Sequence, residues 1–542
     1  MLENMKKNKK IWFGIAGFIV LAIVGGCIVI WNLANREAVS DDPYRSYYEI
    51  FVGSFYDSDE DGTGDLNGIV EKLDYIQDGN KRTNTDLGFE GIWLMPIMPS
   101  TTYHKYDVTD YYQVAPEYGT VDDFEKLVKE CHKRDVKLII DLVINHTSAK
   151  HPWFLEATDY LMGLGKGEEP DATECPYVNY YHFTKETNGN ESFYRIGDSD
   201  WYYEAVFWDQ MPDLALEQQE VRAEIEKICD FWIGLGVDGF RLDAAKEFFT
   251  GDSGKNIEVL HWFTEAVKQK KSDSYVVAEV WDTQAAIAEY YKSGVTSQFN
   301  FPASQYNGSV LSAVRKLGTA NAQSFTKSLI QMDESYATSN QDYIDAPFLS
   351  NHDTTRISAQ CVDDLEQMKF AAGILLTMKG NPFVYYGEEI GMNSMGKKDE
   401  NKRLPMHWSD QDPTGVTRAP ENADEVLQKF QAVDLQTGQP DSILSYYRDA
   451  LAIRKSYPEL ARGKISMLEQ LCDKELSVIQ KEDRDTSAII VYNFSREEIT
   501  REIAGSELSG KQIVAALYCN SEEAILAQEQ ITIPGYAILI LK

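Results

Sequence analysis

Along most of the chain, short apolar runs rich in β-branched residues are each followed by a longer stretch in which apolar positions return every three or four residues. The short runs predict strands at 48–52, 91–95, 137–142, 239–242, 275–278, 298–301, 346–349 and 383–386, and the longer stretches predict helices crossing back between them. Strand followed by helix, repeated in this way, is the pattern of a parallel sheet closed into a barrel. The rhythm breaks twice. After the third strand the chain carries Pro, Gly, Trp and Tyr with little periodicity, for longer than a loop of a compact domain allows, so residues 146–208 are read as a subdomain inserted over the barrel mouth. From residue 463 onward segments such as 488–493 and 536–541 alternate without a long helix, which predicts an antiparallel β-sandwich. The expected architecture is α/β: an N-terminal segment 1–43, a (β/α)8 TIM barrel at 44–462 and a C-terminal antiparallel β-sandwich domain at 463–542.

The N-terminal segment has a pattern of its own. Residues 11–31 are apolar and uncharged, long enough to span a hydrocarbon core as a helix, and Lys6, Lys7, Lys9 and Lys10 precede them. A basic flank stays in the cytoplasm, so everything after the run is expected outside the cell membrane. Val24, Gly25, Gly26 and Cys27 also resemble a bacterial lipobox, in which Cys27 would become a lipidated N-terminus. An uncleaved anchor and a processed lipoprotein both remain open, and both place the protein at the membrane with its bulk facing outward.

Charge narrows the choice of ligand. With 52 Lys+Arg against 86 Asp+Glu, the net charge of -34 repels nucleic acid and anionic lipid surfaces, and a neutral ligand fits better. The 31 Tyr and 10 Trp supply rings of the kind that stack on the apolar faces of sugars. The seven cysteines show no metal-ligand or CxxC spacing, and no disulfide framework is expected from them.

In a barrel of this kind chemistry gathers at the C-terminal ends of the strands, and three acidic residues stand there: Asp243 after Gly239-Phe240-Arg241-Leu242, Glu279 after Val276-Val277-Ala278, and Asp353 after Ser350-Asn351-His352. Hydrolysis of a glycosidic bond needs one carboxylate at the anomeric carbon and one carboxylic acid at the leaving oxygen, about 5 Å apart for retention. Arg241, two residues before Asp243, points to the same side of its strand and can keep that carboxylate ionised. Crowding by neighbouring carboxylates favours the protonated form of Glu279. In the loop after the first strand, the run from Asp57 through Asp59 and Asp61 to Asp65 alternates side-chain oxygens as a hard-cation site does, although Gly68 stands where an EF-hand would need Glu.

Five segments carry a resemblance. Asp141 to His146, Met211 to Leu214, Gly239 to Lys246, Glu279 to Trp281 and Phe348 to Asp353 resemble, in order, the signature regions of the α-amylase family, glycoside hydrolase family 13. The form of the Met211-Pro212-Asp213-Leu214 segment is closest to bacterial members intermediate between oligo-1,6-glucosidases and neopullulanases. The resemblance implies that Asp243 is the nucleophile, Glu279 the general acid then base, and Asp353 a third carboxylate that orients the sugar. It further implies that Tyr106, His146, Arg241, Lys246, His352, Asp399 and Arg403 bind substrate. It also implies that Asp57, Asp59, Asp61, Asp65 and the Thr63 carbonyl hold Ca2+. A second metal site of the family uses His where this chain has Glu247. The implied activity is retaining cleavage of α-1,4-glucosidic bonds in starch, maltodextrins or maltooligosaccharides. The alternatives are oligo-1,6-glucosidase or neopullulanase activity on the same scaffold, or an inert amylase-like membrane subunit.

Overall fold

The computed structural model describes residues 42–80, 83–165, 167–527 and 529–542. The apolar run at 11–31 and Cys27 lie outside the described residues. Among the described residues no helix is long and apolar enough to cross a membrane.

Strands β1 (Tyr47–Ile50), β2 (Gly91–Leu94), β3 (Lys137–Leu142), β4 (Gly239–Leu242), β5 (Tyr275–Ala278), β6 (Ser297–Gln298) and β7 (Phe383–Tyr385) run parallel in the spatial order β7-β1-β2-β3-β4-β5-β6. Residues 346–348 complete the ring through single parallel bridges, Phe299 with Ala346 and Phe348 with Phe383. The strands expected at 298–301 and 346–349 are thus reduced to two residues and to bridge positions. Here the chain folds on itself, with Phe301 N–H donating to Phe299 O and Asn300 N–H to Ala346 O. The first strand stops at Ile50, and residues Val52–Ser54 wind into a short 3-10 helix instead of extending it.

Alternation along each strand sorts the side chains into two cores. Tyr48, Ile50, Ile92, Leu94, Leu138, Ile140, Phe240, Leu242 and Val276 face outward into the layer of helices. Tyr47, Trp93, Ile139, Tyr275, Val277, Phe299, Phe348 and Phe383 fill the inside of the barrel. Its floor is aromatic: Tyr47 stacks on Tyr275 at 5.1 Å and on Phe383 at 4.8 Å between centroids. Gly91 makes room for that floor, because a Cβ there would come within 2.4 Å of the Tyr47 ring. The same inward phase continued toward the C-terminal ends brings up Glu49, Asp141, Arg241 and Glu279. Direct pairing of Asp141 with Arg241 in the register of β3 and β4 sets the first charged contact of the upper layer.

Between β3 and β4 the chain forms the helix Pro152–Gly163 and a small antiparallel sheet of Phe183–Thr184, Tyr202–Glu204 and Phe193–Arg195. After the barrel come a five-stranded antiparallel sheet (Lys464–Met467, Leu476–Asp483, Thr486–Asn493, Ile538–Leu541, Ile513–Leu517) and a three-stranded one (Ile499–Glu502, Gln530–Ile533, Ile525–Ala527). They enclose Leu476, Val478, Ile489, Val491, Ile531, Ile533, Leu539 and Leu541 as a separate core, the sandwich foreseen from the alternating pattern. The seam with the barrel is largely apolar, with Ile479, Ile490, Tyr492, Phe494, Ile538 and Ile540 joining the barrel's outer core, and one buried polar group is set into it: Lys481 Nζ donates to Thr377 O at 2.6 Å and to Leu460 O at 2.7 Å. The six described cysteines carry free thiols.

Candidate active site

Arg241 organises the upper layer. Its side chain is fully enclosed, Nη1 donating to Asp141 Oδ1 at 2.8 Å and to Asp243 Oδ1 at 2.7 Å, and Nη2 to Glu279 Oε2 at 2.7 Å. One guanidinium therefore holds Asp243 and Glu279 side by side and takes Asp141, wholly buried beneath them, as its counterion. Asp243 leads into a tight turn. Ala244 adopts φ 45°, in the left-handed region where a non-glycine residue is strained, and its N–H donates to Glu279 Oε2 at 3.0 Å. The turn after one carboxylate thus grips the other.

The two carboxylates at the ends of β5 and the 346–348 segment are driven apart electrostatically. Burial is the main force lifting Glu279 to about 7; Arg241 opposes it, and the charges of Asp243 and Asp353 add to it. Burial would also raise Asp353, but the His352 imidazolium and the Arg403 and Arg241 guanidinium groups outweigh it and hold Asp353 well below the usual carboxylate range. Asp353 Oδ2 lies 3.0 Å from His352 Nε2, and Oδ1 accepts from Arg403 Nη2 at 3.1 Å. Near neutral pH the site thus offers a protonatable Glu279 beside an ionised Asp353, a division of roles that acid–base chemistry requires.

The remaining predicted residues gather around these three. Tyr106 packs its ring against His352 at 5.6 Å, and its hydroxyl lies 2.6 Å from His352 Nε2 and 3.2 Å from Asp141 Oδ2. His146 lies under Phe207, and its buried Nε2 has no partner among the described residues, which leaves a polar atom for a ligand. Arg403 Nη1 reaches Tyr103 at 2.7 Å and pairs with Asp399, closing one end of the cavity. Lys246 stands at the other end in an ion pair with Asp282 at 2.9 Å. Of the predicted set, Tyr106, His146, Asp243, Lys246, Glu279, Asp353, Asp399 and Arg403 line a single cavity of about 430 Å³, while Arg241 and His352 support it from below.

Several contributors were not foreseen. Asp141 was read only as part of a motif, and Glu49 not at all. His104, Phe207, Met211 and Trp281 also line the cavity. Glu49 is 1% exposed and accepts from His352 Nδ1 at 2.6 Å. Its signal was available in principle: an ionisable residue in the inward phase of a buried strand needs a partner.

The acidic loop assembles in part. Carboxylate oxygens of Asp57, Asp59 and Asp61 lie within 4.8 Å of one another, a donor set suited to a hard cation. Gly62 gives the loop its φ of 94°, and Gly64 approaches the backbone so closely that a Cβ would meet Val52 O at 2.1 Å. Thr63 turns its N–H to Asp61 Oδ1 at 2.7 Å. Asp65 stands apart from the other three: it caps the helix Leu66–Ile76, accepting from Gly68 N–H at 2.8 Å and from Ser58 Oγ at 2.8 Å.

Comparison with known proteins follows the same lines. Residues 49–463 match the family model described as alpha amylase, catalytic domain. Over 97% of its length the chain is 37% identical to Alpha-amylase 3 of Dictyoglomus thermophilum, covering 99% of that protein. Among solved structures it resembles Eubacterium rectale Amy13B, with a TM-score of 0.88 and 41% identity over 93% of this chain and 96% of that one. It also resembles the α-amylase of H. orenii, with a TM-score of 0.80 and 35% identity over 92% of this chain and 99% of that one.

Proposed function

The chain belongs to the α-amylase family of retaining glycoside hydrolases, and on that premise we propose that it cleaves α-1,4-glucosidic bonds of starch, maltodextrins or maltooligosaccharides through Asp243, Glu279 and Asp353. The observation that carries the assignment of roles is the shared guanidinium of Arg241, which donates to Asp243 Oδ1 at 2.7 Å and to Glu279 Oε2 at 2.7 Å and so keeps the two carboxylates next to each other, as a retaining mechanism needs. Asp243 attacks the anomeric carbon with an electron pair of its carboxylate while Glu279 gives its proton to the departing glycosidic oxygen. The bond to that oxygen breaks and a glycosyl ester of Asp243 forms. Glu279, now ionised, takes a proton from water as the water oxygen attacks the same carbon and releases Asp243. Asp353, braced by His352 and Arg403, orients the ring and stabilises positive charge that develops on it. Tyr106 offers a ring face, and His146, Asp399 and Arg403 offer hydrogen-bonding atoms to the same sugar.

Calcium enters this reading as a brace for the loop that follows β1. Asp57, Asp59 and Asp61 would hold it, and the ion would supply charge neutralisation of the loop rather than chemistry at the sugar. The N-terminal segment is read as the tether that keeps the enzyme on the outer face of the cell membrane, either as an anchor or through a lipidated Cys27. Fractionation of cells, with the intact mass of the membrane-extracted protein, separates the two forms, and recovery of full-length enzyme in the cytoplasm rejects both.

A reducing-sugar assay on soluble starch, with maltoheptaose and pullulan as further substrates, tests the function. Release of reducing ends from starch and maltoheptaose is the expected result. Hydrolysis of pullulan alone would transfer the assignment to α-1,6 bonds, and inactivity on all three would reject it.

A further inference from the structure

Asp353 is carried by a turn that is closed on itself. Asn351 Oδ1 accepts from Asp353 N–H at 3.1 Å and from Thr354 N–H at 2.9 Å, and Asn351 N–H donates to Thr354 Oγ1 at 2.9 Å. Such a turn keeps its own shape, so the place of Asp353 over the barrel is set by what holds the two ends of the turn. Both ends are held by the stretch that follows β7. Before the turn, Ser350 Oγ donates to Glu388 Oε2. After it, Arg356 N–H donates to Ser394 Oγ at 2.8 Å, and Arg356 Nη1 donates to Tyr386 O.

Glu388 is held firmly enough to serve as such an anchor. It is fully buried, and a carboxylate removed from water is costly unless its oxygens are paired. Oε2 takes the Ser350 hydroxyl, and Oε1 takes the hydroxyl of Tyr447, on the helix Ile443–Ser456, at 2.9 Å. The backbone that presents it is a 3-10 turn, Glu388–Ile390, bracketed by Gly387 at φ 80° and Gly391 at φ 77°. A Cβ at Gly387 would also come within 2.3 Å of Met392 Sδ, so the turn has little freedom to change. The adjacent carboxylate has a different task. Glu389 Oε1 accepts from the Tyr48 and Tyr75 hydroxyls, both at 2.7 Å, and ties β1 to the helix Leu66–Ile76.

We propose that Glu388 is a positioning residue for the hydrolysis: through Ser350 it sets the placement of the turn that carries Asp353, and with it the contact of Asp353 with the sugar in the transition state. The proposal rests on the hydrolase reading above. It is tested by kcat and KM on maltoheptaose for Glu388→Leu, Ser350→Ala and Glu388→Gln, each made in the wild type and in an Asp353→Asn background. Glu388→Leu and Ser350→Ala are expected to lower kcat by about tenfold with little change in KM, because the contact they loosen is one to the transition state. Glu388→Gln offers Ser350 an oxygen and Tyr447 an N–H, and should stay within about threefold of the wild type. With Asp353 already replaced, the Leu and Ala changes should cost less than about twofold, since residues that act through one group are not additive. Equal losses in both backgrounds, or an unchanged kcat in Ser350→Ala, overturn the proposal and leave the hydrolase assignment standing. A loss in Glu388→Gln as large as that in Glu388→Leu also overturns it. If Glu388→Leu does not fold, Ser350→Ala, which removes a single hydroxyl, decides by itself. A wild type inactive on maltoheptaose overturns the hydrolase reading and the proposal together.

Discussion

Glu49 and His352 are 303 residues apart in sequence, yet Glu49 Oε1 accepts from His352 Nδ1 at 2.6 Å, and both side chains are almost completely enclosed. Burial alone would disfavour the imidazolium. The Asp353 and Glu49 carboxylates outweigh it and lift His352 to about 10, so the ring is charged at neutral pH. As an imidazolium it gives Nδ1–H to Glu49 and shares Nε2–H between Asp353 and Tyr106. Glu49 is thus a positioning residue that acts through His352.

Replacing Glu49 by Gln keeps an acceptor for Nδ1–H and removes the charge, whereas Leu removes both. Glu49→Gln is expected to lower kcat/KM by about tenfold, mainly through kcat, and Glu49→Leu by more. The linked stability effect has a definite sign. A histidine raised from 6.5 to about 10 contributes stability that is full below its unfolded value and is lost as pH rises through the folded one. The difference in melting temperature between wild type and Glu49→Gln should therefore narrow as pH increases from about 6 to about 10. A difference that stays constant across that range would show that Glu49 does not act through the charge of His352.

Asp243→Asn, Glu279→Gln and Asp353→Asn should each fold, by circular dichroism and melting curve, and lose about 10²-fold or more of starch-cleaving activity. Turnover near the wild-type rate in any one of them removes that residue from the proposed role.

The general acid must be protonated to act, and Glu279 is lifted to about 7 first by burial and then by its carboxylate neighbours. Activity carried by Glu279 as acid is present below that value and falls as pH rises through it, so the alkaline limb of kcat/KM should lie near pH 7. A substrate with an activated aryloxide leaving group needs little protonation, and Glu279→Gln should lose far less activity on it than on starch. Equal losses on both substrates would contradict the role of proton donor.

Removing divalent cations with a chelator should lower the melting temperature, and Ca2+ should restore it, because a ligand bound only by the folded chain stabilises that state by mass action. Asp59→Asn together with Asp61→Asn should abolish the response. Melting curves unaffected by chelator, with no bound metal in elemental analysis, would reduce the Asp57–Asp59–Asp61 cluster to a solvated turn.

Much of the barrel was legible because its strands are short apolar runs with a single inward phase, and the phase of Gly239 to Asp243 alone aims Arg241 and Asp243 at the same space. The bonds that assemble the site were less legible. Nothing local in Tyr47 to Ile50 announces His352 as the partner of Glu49, since the contact is made by closure of the ring. Asp65 shows the opposite limit. Its spacing matched the ligand pattern of the loop, but it also directly precedes an amphipathic helix, and the unpaired N–H groups of that first turn claimed its carboxylate. The weak strand positions at 298–301 and 346–349 were legible as apolar runs, while the inward fold at Phe299 to Phe301 depends on aromatic packing that no periodicity records.

The buried side-chain nitrogen of Lys481 bears on how such enzymes can be recombined. It lies on a strand of the sandwich, and its acceptors are backbone carbonyls at the ends of the helices Leu365–Thr377 and Glu459–Arg462. The barrel is consequently not a transplantable cassette. A chimera that joins it to a foreign sandwich without an N–H donor at this point leaves two enclosed carbonyls unpaired, and crossover points for shuffling among relatives have to keep the two sides of this seam together.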